Sequence, residues 1–294
     1  MSDPQDSIPN LFDQEILVQN LCRATTLGHL PSFIDSIADE ELIDKFTSIS
    51  RTFVSIAIIA HDPSAISAAI KSSASANANL TCIYHVTNTG TFLDDPSLAP
   101  EAFDCIFVNG GLEWVNDLPG CLKRLQQALK PDGVMLAAML GGETLHELRA
   151  AWLSAETLIT DGASPRVAPF CDVRDAGSLL QRAGFALPVV DTDRLKARYD
   201  NAFALMKELK ALGMSNALAE KRKAITTPSL LAAACAHYDA KYVDPDGRVH
   251  ATFQLVYLTG WSPDASQPKP LRPGSAKLRL ADALQVNERK LPRG

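Results

Sequence analysis

The sequence predicts an α/β fold with a mostly parallel sheet and helices on both of its faces. Short apolar runs rich in β-branched residues, at 53–60 and 103–109, are typical of strands that are buried on both sides. Segments with apolar residues at helical spacing lie between such runs, as at 118–129. Strands that alternate with amphipathic helices build parallel sheets whose two faces are covered.

The elements follow from these patterns in chain order. Two helices precede the sheet, and the second is expected to have one apolar stripe with its charged residues on the opposite face. The first strand leads into a helix for which Asp62 is the expected N-cap and Pro63 the first residue. The predicted helices are 11–23, 32–49, 62–71, 118–129, 144–158, 173–183, 201–212 and 228–242, and the predicted strands are 53–60, 80–86, 103–109, 134–140, 187–191 and 250–261.

Three regions are expected: a helical segment at 1–50, an α/β domain at 51–262 and a basic, proline-containing tail at 263–294. The chain has 294 residues, of which 46% are hydrophobic and 21% are charged, an ordinary globular composition. Residues 269–294 contain seven Lys or Arg and two Asp or Glu. Such a tail is typical of a solvated arm, or of a segment that docks on an acidic partner.

Charge and cysteine content exclude several classes of protein. The net charge of -6 argues against a nucleic-acid partner, because phosphate binding needs a basic face. The six cysteines include no CxxC pair, so no metal site is expected and the thiols are interpreted as free. The N-terminus resembles no targeting signal, and no apolar run approaches the roughly 20 residues of a membrane span. The sequence therefore predicts a cytoplasmic protein.

A ligand is expected where the carboxyl ends of the strands meet, and the first strand-to-helix turn normally carries glycines there. The chain has no glycine between His29 and Thr89, and it has no nucleotide-binding glycine motif. Small residues in the turn at 60–65 still leave some space. Ala60 and Asp62 are therefore the candidate cofactor-binding residues of this turn.

Other candidate cofactor-binding residues lie at the ends of the second and third strands. An acidic residue commonly ends the second strand and binds ribose hydroxyls, but here His85 stands near that position. Asp95 lies further along, either as a ligand for adenine or ribose or as part of a solvated loop. Asn109 and Gly110 end the third strand, where glycine allows close approach to a ligand or to a neighbouring loop.

The run FDCIFVNGGLEWVNDLPGCLKRLQQALKPDGVMLAAMLGGETLHELR, residues 103–149, resembles class I S-adenosylmethionine (SAM)-dependent methyltransferases. More narrowly, it resembles the biotin-synthesis-methyltransferase-like group, which includes the mitochondrial respiratory complex I assembly factor that hydroxylates an arginine. Further segments typical of this group are GASPRVAPF at 162–170, LLQRAGF at 179–185, VDTD at 190–193, GMSNA at 213–217 and residues 260–276. Their style is that of alphaproteobacterial members.

The resemblance implies a Rossmann-like methyltransferase fold, SAM as the cofactor, and a protein substrate such as an arginine of a respiratory complex I subunit. Trp114 is then expected to stack on a substrate or to pack in the loop. Asn116 and Asp117 bind an acceptor or cap the next helix. Glu143 pairs with a cationic substrate group or favours a helix N-terminus. Arg166 belongs to a substrate-side segment or is a surface charge.

Three functions stay open at this level. One is a SAM-dependent enzyme that modifies a protein side chain, for which positioning supplies most of the rate and no catalytic triad is needed. Another is a non-catalytic interaction or assembly module, favoured by the glycine-free turn. A third is a nucleotide-binding oxidoreductase, which the same missing glycines disfavour. A cleft lined by Asp95, Asn109 and Trp114 would favour the enzyme.

Overall fold

The structure is a computed structural model that describes residues 10–268, apart from residues 85, 88, 89, 95 and 161. Two compact units divide the chain, Met1–Pro263 and Asp264–Gly294. The described part of the second unit, residues 264–268, contains a turn in which the Asp264 carboxylate accepts a hydrogen bond from the backbone N–H of Ser266 at 2.8 Å. The first unit contains the sheet.

Six strands form one mixed sheet in the order β2-β1-β5-β6-β8-β7, and the two-residue strands β3 and β4 pair with each other. β1 is parallel to β2 and to β5, β5 is parallel to β6, and β8 is antiparallel to both β6 and β7. The α/β prediction is confirmed, with a parallel arrangement in four strands and an antiparallel one at the β8–β7 end. The strands are β1 (Ser55–Ala60), β2 (Asn79–Tyr84), β3 (Val86–Thr87), β4 (Gly90–Thr91), β5 (Phe103–Asn109), β6 (Leu129–Leu140), β7 (Ala186–Tyr199) and β8 (Val249–Trp261).

Helices cover both faces of this sheet because successive side chains of each strand point to opposite faces. In β1, Ile56 and Ile58 belong to one hydrophobic cluster, together with residues of α2, α3, α5, α7 and α8. Ala57 and Ile59 belong to a second cluster, together with residues of α4 and α6. The helices are α1 (Gln14–Thr26), α2 (Phe33–Thr47), α3 (Ser64–Lys71), α4 (Leu118–Ala128), α5 (His146–Ile159), α6 (Val173–Ala183), α7 (Ala202–Ala211) and α8 (Pro228–Lys241).

The N-terminal segment is fixed before α1 begins. Phe12 pairs with Leu218 as an isolated antiparallel bridge, and the Asp13 carboxylate caps α1 by accepting a hydrogen bond from Ile16 N–H at 3.2 Å. The prediction that this helix begins at residue 11 is therefore wrong by three residues, because Phe12 is in an extended pairing. A third cluster contains Phe12, Leu21 and Trp114.

Helix α2 differs from its predicted amphipathic pattern. Ser32 is its N-cap and forms a capping box with Asp35, three residues later. The expectation that all charged residues lie opposite the apolar stripe is wrong, since Asp35 and Asp39 are both buried. The buried face of α2 therefore carries two carboxylates beside its apolar residues, and both lie near the carboxyl ends of the strands.

Two other boundaries differ for local physical reasons. Helix α3 begins at Ser64 with Pro63 as N-cap, so Asp62 is not the N-cap, although its carboxylate accepts the Ser64 N–H at 2.9 Å. Strand β7 has 14 residues where five were expected at 187–191. It is an edge strand of the sheet, and its exposed, charged second half lacks the apolar pattern that predicts a buried strand.

In the described part of the chain, no helix combines the length and apolar character that crossing a membrane requires.

Two glycine-to-alanine substitutions are expected to change stability in opposite directions. A Cβ at Gly260 in β8 would lie 2.7 Å from Cδ1 of the buried Phe185, so Gly260→Ala should lower the free energy of unfolding by about 1–3 kcal/mol. A Cβ at Gly177 in α6 would meet only Val190 Cγ2 at 3.7 Å, so Gly177→Ala should raise it by about 0.5–1 kcal/mol. Urea unfolding of both variants measures the difference. Equal effects of the two substitutions would contradict this packing of β8 against Phe185.

Candidate functional site

The candidate site lies where the order of the parallel strands reverses, between β1 and β5. Ala60 and Asn109, the last residues of these strands, are partners in the register. Open α/β sheets bind ligands at the carboxyl ends of the strands at such a reversal. The chain leaves β1 through His61 and Asp62, while β5 continues into Gly110 and Gly111.

A buried ion pair joins α2 to the turn after β1. The Asp35 Oδ1 atom lies 3.2 Å from Nδ1 of His61, and both side chains are 12% exposed. Asp35 Oδ2 accepts hydrogen bonds from the Ser32 backbone N–H at 2.6 Å and from its hydroxyl at 2.7 Å. The two oxygens of this carboxylate therefore have different partners, since one completes the α2 cap and the other holds His61.

The charges of the pair stabilise each other. Burial raises the pKa of Asp35, but the hydrogen bond and charge of His61 and the bonds from Ser32 lower it further, to below its ordinary value. Burial lowers the pKa of His61, but Asp35 and the charge of Glu113 outweigh that effect and raise it. The imidazolium form of His61 is thus favoured at the tip of β1.

Asn109 links the end of β5 to the same helix. Its Nδ2 donates to the backbone carbonyl of Asp35 at 2.9 Å and to Oδ1 of Asp39 at 2.7 Å. Burial raises the pKa of Asp39 to about 6, although the bond from Asn109 opposes this. Gly110 follows with a φ of 75°, which favours glycine, and a Cβ there would lie 3.5 Å from Asp35 Oδ1. The predicted cofactor-side residue Asn109 is therefore bonded to α2.

Glu113 places a third carboxylate at this edge of the sheet. It lies in the single 3-10 turn Leu112–Trp114, directly after Gly111. Its Oε2 atom is buried and has no hydrogen-bond partner in the structure. Burial raises the pKa of Glu113 to about 7, while a hydrogen bond from its own backbone N–H, the charge of His61 and a backbone hydrogen bond from Gly111 oppose the shift. Glu113 therefore changes its charge near neutral pH.

These polar groups border a small cavity of about 50 Å³. Asp35, His61, Asn109 and Glu113 lie on one side of it, and most of the rest of its wall is apolar. A water molecule occupies roughly 10–15 Å³ on this scale, so the cavity has room for a few waters. Sites for drug-sized or nucleotide-sized ligands enclose on the order of 300–1,000 Å³. The apolar wall includes Leu21, Leu30, Ile34, Trp114, Met139, Leu140, Met214 and Leu255.

The side chains of the residues after β5 mainly pack against, or hydrogen-bond to, other parts of the protein. Trp114 is buried and packs edge-on against Phe12, with ring centroids 5.4 Å apart. The Asn116 side chain accepts from the Phe12 N–H at 2.8 Å and donates to the Phe12 carbonyl at 3.1 Å. Asp117 caps α4 by accepting the Gly120 N–H at 2.9 Å. Of these three, Trp114 lines the cavity, whereas Asn116 holds the N-terminal segment.

The other two predicted substrate-side residues lie outside this cavity. Glu143 pairs with Arg194 of β7 in an exposed ion pair. Arg166 is not a surface charge, because its guanidinium binds the buried Glu156 at 2.7 Å and lies 4.7 Å from the ring centre of Trp152. The Arg166 side chain borders a neighbouring cavity of about 40 Å³, which shares Trp114 and Met214 with the first.

Two predicted cofactor-side residues, His85 and Asp95, lie outside the described residues. Four residues that were not predicted belong to the polar part of the site, together with the predicted Asn109. Ser32 and Asp35 have the spacing of a capping box, which is a sequence signal for the start of α2 but not for a ligand site. Within the described ranges, no group of three or more His, Cys, Asp or Glu has the geometry to hold a metal ion. The unpredicted residues are Asp35, Asp39, His61 and Glu113.

The raised pKa of Glu113 predicts a pH-dependent gain in stability on Glu113→Gln. Because the pKa is about 7 in the folded protein and 4.5 ordinarily, ionisation of the buried carboxyl opposes folding. Glutamine removes that cost, so the free energy of unfolding should rise on the order of 1–3 kcal/mol at pH 8. The gain should shrink as the pH falls below 7 towards 4.5, where the wild-type carboxyl is protonated in both states.

Urea unfolding of wild type and variant between pH 8 and pH 4.5 measures the difference between their free energies of unfolding. Groups that titrate in both proteins contribute equally to the two values, so their contributions cancel in the difference. Glu40→Gln on the exposed side of α2 is the matched control and should show no such gain. A Glu113→Gln variant that is less stable than wild type at pH 8 would contradict the assignment.

Comparison with known proteins adds relatives at moderate sequence identity. The chain is 41% identical over 188 residues to the mitochondrial arginine-hydroxylase NDUFAF5 of Danio rerio, covering 64% of this chain and 58% of the relative. It is 38% identical over 161 residues to the malonyl-[acyl-carrier protein] O-methyltransferase of Halorhodospira halophila, covering 55% and 52%. The chain thus spans somewhat more than half the length of these curated relatives.

Among solved structures, the YcgJ protein of Bacillus subtilis matches with a TM-score of 0.49 and 10% identity, covering 78% of this chain and 99% of that protein. A family model for a methyltransferase domain matches residues 42–188, which is half of the chain. This range begins in α2 and ends in β7, so it contains Asn109, Gly110 and Glu113. The chain belongs to the methyltransferase-domain family.

Proposed function

We propose that the protein recognises an arginine side chain of a partner protein and modifies it, or assists the assembly of that partner. The observation that carries this proposal is the 41% identity to a protein named as an arginine-hydroxylase. The acidic residues beside the cavity agree with it, because carboxylates bind guanidinium groups through charge-assisted hydrogen bonds. The resemblance to the complex I assembly factor makes a respiratory complex I subunit the proposed partner.

SAM is the cofactor that membership in the methyltransferase family supports. The described residues do not fit SAM in the present arrangement. The turn after β1 has no glycine, the buried His61 stands at the strand tip, and about 50 Å³ remains beside it. This geometry supports no reaction step through SAM. We expect the His61 ring to limit the binding of SAM.

A non-catalytic assembly module is the second candidate function, and the same small cavity favours it. A domain that keeps the fold and the acceptor side of the site can still dock on an arginine of its partner. An enzyme was expected to have a cleft lined by Asp95, Asn109 and Trp114. Two of these residues, Asn109 and Trp114, line the observed cavity. Asp95 lies outside the described residues.

Residue roles follow from this proposal. Asn109, Gly110 and Trp114 border the ligand, whereas Asn116 and Asp117 position the N-terminal segment and α4. A cytoplasmic location stays a prediction from the sequence, and the arginine-hydroxylase relatives are named as mitochondrial proteins. Glu143 is exposed and is available for docking of the partner protein, whereas Arg166 binds the buried Glu156 and has a structural role.

The fit of SAM depends on His61, and a substitution tests this. His61→Gly removes the buried ring and supplies the missing glycine, so S-adenosylhomocysteine should bind the variant at least tenfold more tightly, a gain of about 1.4 kcal/mol. Calorimetric titration of both proteins measures the two affinities. Ser64→Gly adds a glycine at the first residue of α3, three positions away and outside the cavity wall, and is the matched control. Equal affinities of wild type and His61→Gly would contradict a block at His61.

The proposed activity is tested in the cell that carries the gene. Deletion of the gene should remove one oxygen atom or one methyl group from an arginine of a complex I subunit, as measured by mass spectrometry of its peptides. Reintroduction of wild type should restore it. Unchanged arginine masses together with a loss of assembled complex I would favour the assembly module. Unchanged masses and normal assembly would overturn both candidates.

A further inference from the structure

The carboxylates at the cavity have unequal partners. Asp35 Oδ1 is paired with Nδ1 of His61, and Asp39, which lies behind Asn109, accepts a hydrogen bond from the Asn109 amide. Glu113 has a buried Oε2 without a hydrogen-bond partner. Of the described residues that line the cavity, His61 is the one with a basic side chain. When Glu113 ionises, this side of the cavity therefore carries an unbalanced negative charge.

The remainder of the cavity determines which cation fits. Its walls are mainly aliphatic and aromatic, with Leu30, Trp114 and Met214 among them. About 50 Å³ of free space corresponds to roughly three to five waters. That is the room of one planar cationic group with a short alkyl stem, and it is much less than a nucleoside needs. Apolar walls bind the stem, and the carboxylate binds the cationic head.

We propose that Glu113 is the specificity residue of this cavity and binds the guanidinium group of an alkylguanidinium ligand, the side chain of arginine. This inference rests on the proposed function, because it names the residue that recognises the proposed arginine. The Glu113 carboxylate accepts hydrogen bonds from the planar N–H groups, and the apolar walls hold the methylene groups.

The physical reason for this preference is the cost of a buried carboxylate. A buried ionised carboxylate is costly when one of its oxygens has no hydrogen-bond partner, as Oε2 of Glu113 has none, and a cation that donates hydrogen bonds to the carboxylate offsets that cost. A neutral ligand of the same shape offers no such charge, so the carboxylate discriminates against it. Asp35 is not equivalent to Glu113, since both of its oxygens are already engaged by Ser32 and His61.

The test uses propylguanidinium as the ligand and propylurea as its neutral isostere, with the full chain at pH 8. The dissociation constants are measured by NMR titration or calorimetry for wild type, Glu113→Gln and the remote control Glu40→Gln. We expect wild type and Glu40→Gln to bind propylguanidinium equally. Glu113→Gln should bind it at least tenfold more weakly, and propylurea should bind all three proteins weakly.

Three results would overturn the proposal: equal affinity of wild type and Glu113→Gln, equal affinity for propylurea and propylguanidinium, or no propylguanidinium binding to wild type at tens of millimolar ligand. Thermal unfolding of each variant shows that it is folded, and Glu113→Gln should remain folded because glutamine keeps the shape of the side chain.

The failure of this inference can be distinguished from failure of the proposed function. If arginine modification depends on the gene while Glu113→Gln binds propylguanidinium as wild type does, then Glu113 is not the recognition residue and the function survives. If propylguanidinium binding depends on Glu113 while neither arginine modification nor assembly depends on the gene, then the site stands and the proposed function is wrong.

Discussion

The arrangement of the site depends on the hydrogen bonds and the ion pair that Asp35 makes. One oxygen caps α2 through Ser32, and the other binds His61 after β1. The Asp35 backbone carbonyl also accepts from Asn109 at the end of β5. A single residue thus joins the start of α2 to the tips of two strands. Because an unpaired buried charge is costly, a shift of any partner would disturb the other two.

The buried carboxylates of this site lower the stability of the fold. Burial raises the pKa of Asp39 to about 6 and that of Glu113 to about 7, so ionisation of both opposes folding near neutral pH. Asparagine or glutamine would have similar shapes without this cost. Groups held against their preferred protonation state are more frequent at binding and catalytic sites than in ordinary cores. The cost in stability is therefore an argument that Glu113, which of these two carboxylates is the one that lines the cavity, recognises a ligand.

The sequence predicted the parts of the fold that depend on local pattern. Short apolar runs identified β1 and β5, since their residues are buried on both faces whichever strands lie beside them. The antiparallel direction of β8 and the length of β7 depend on partners far along the chain, and an edge strand with charged residues has no apolar signal. For the site, Asn109 and Trp114 could be placed at strand ends. Asp35 could not, because its contact with His61 spans 26 positions and requires α2 to fold over the sheet.

The glycine-free turn and the acidic cavity share one side chain, that of His61. A residue with a side chain at the tip of β1 fills the space next to Gly110 that a glycine would leave open. Since that residue is His61, it also supplies the positive charge that compensates Asp35. Glu113 then remains as the carboxylate that a ligand cation can bind. Among the described residues, the small volume of the cavity and the proposed site for a small cation therefore depend on the same side chain. Substitution of His61 should affect both, whereas substitution of Glu113 should affect the cation alone.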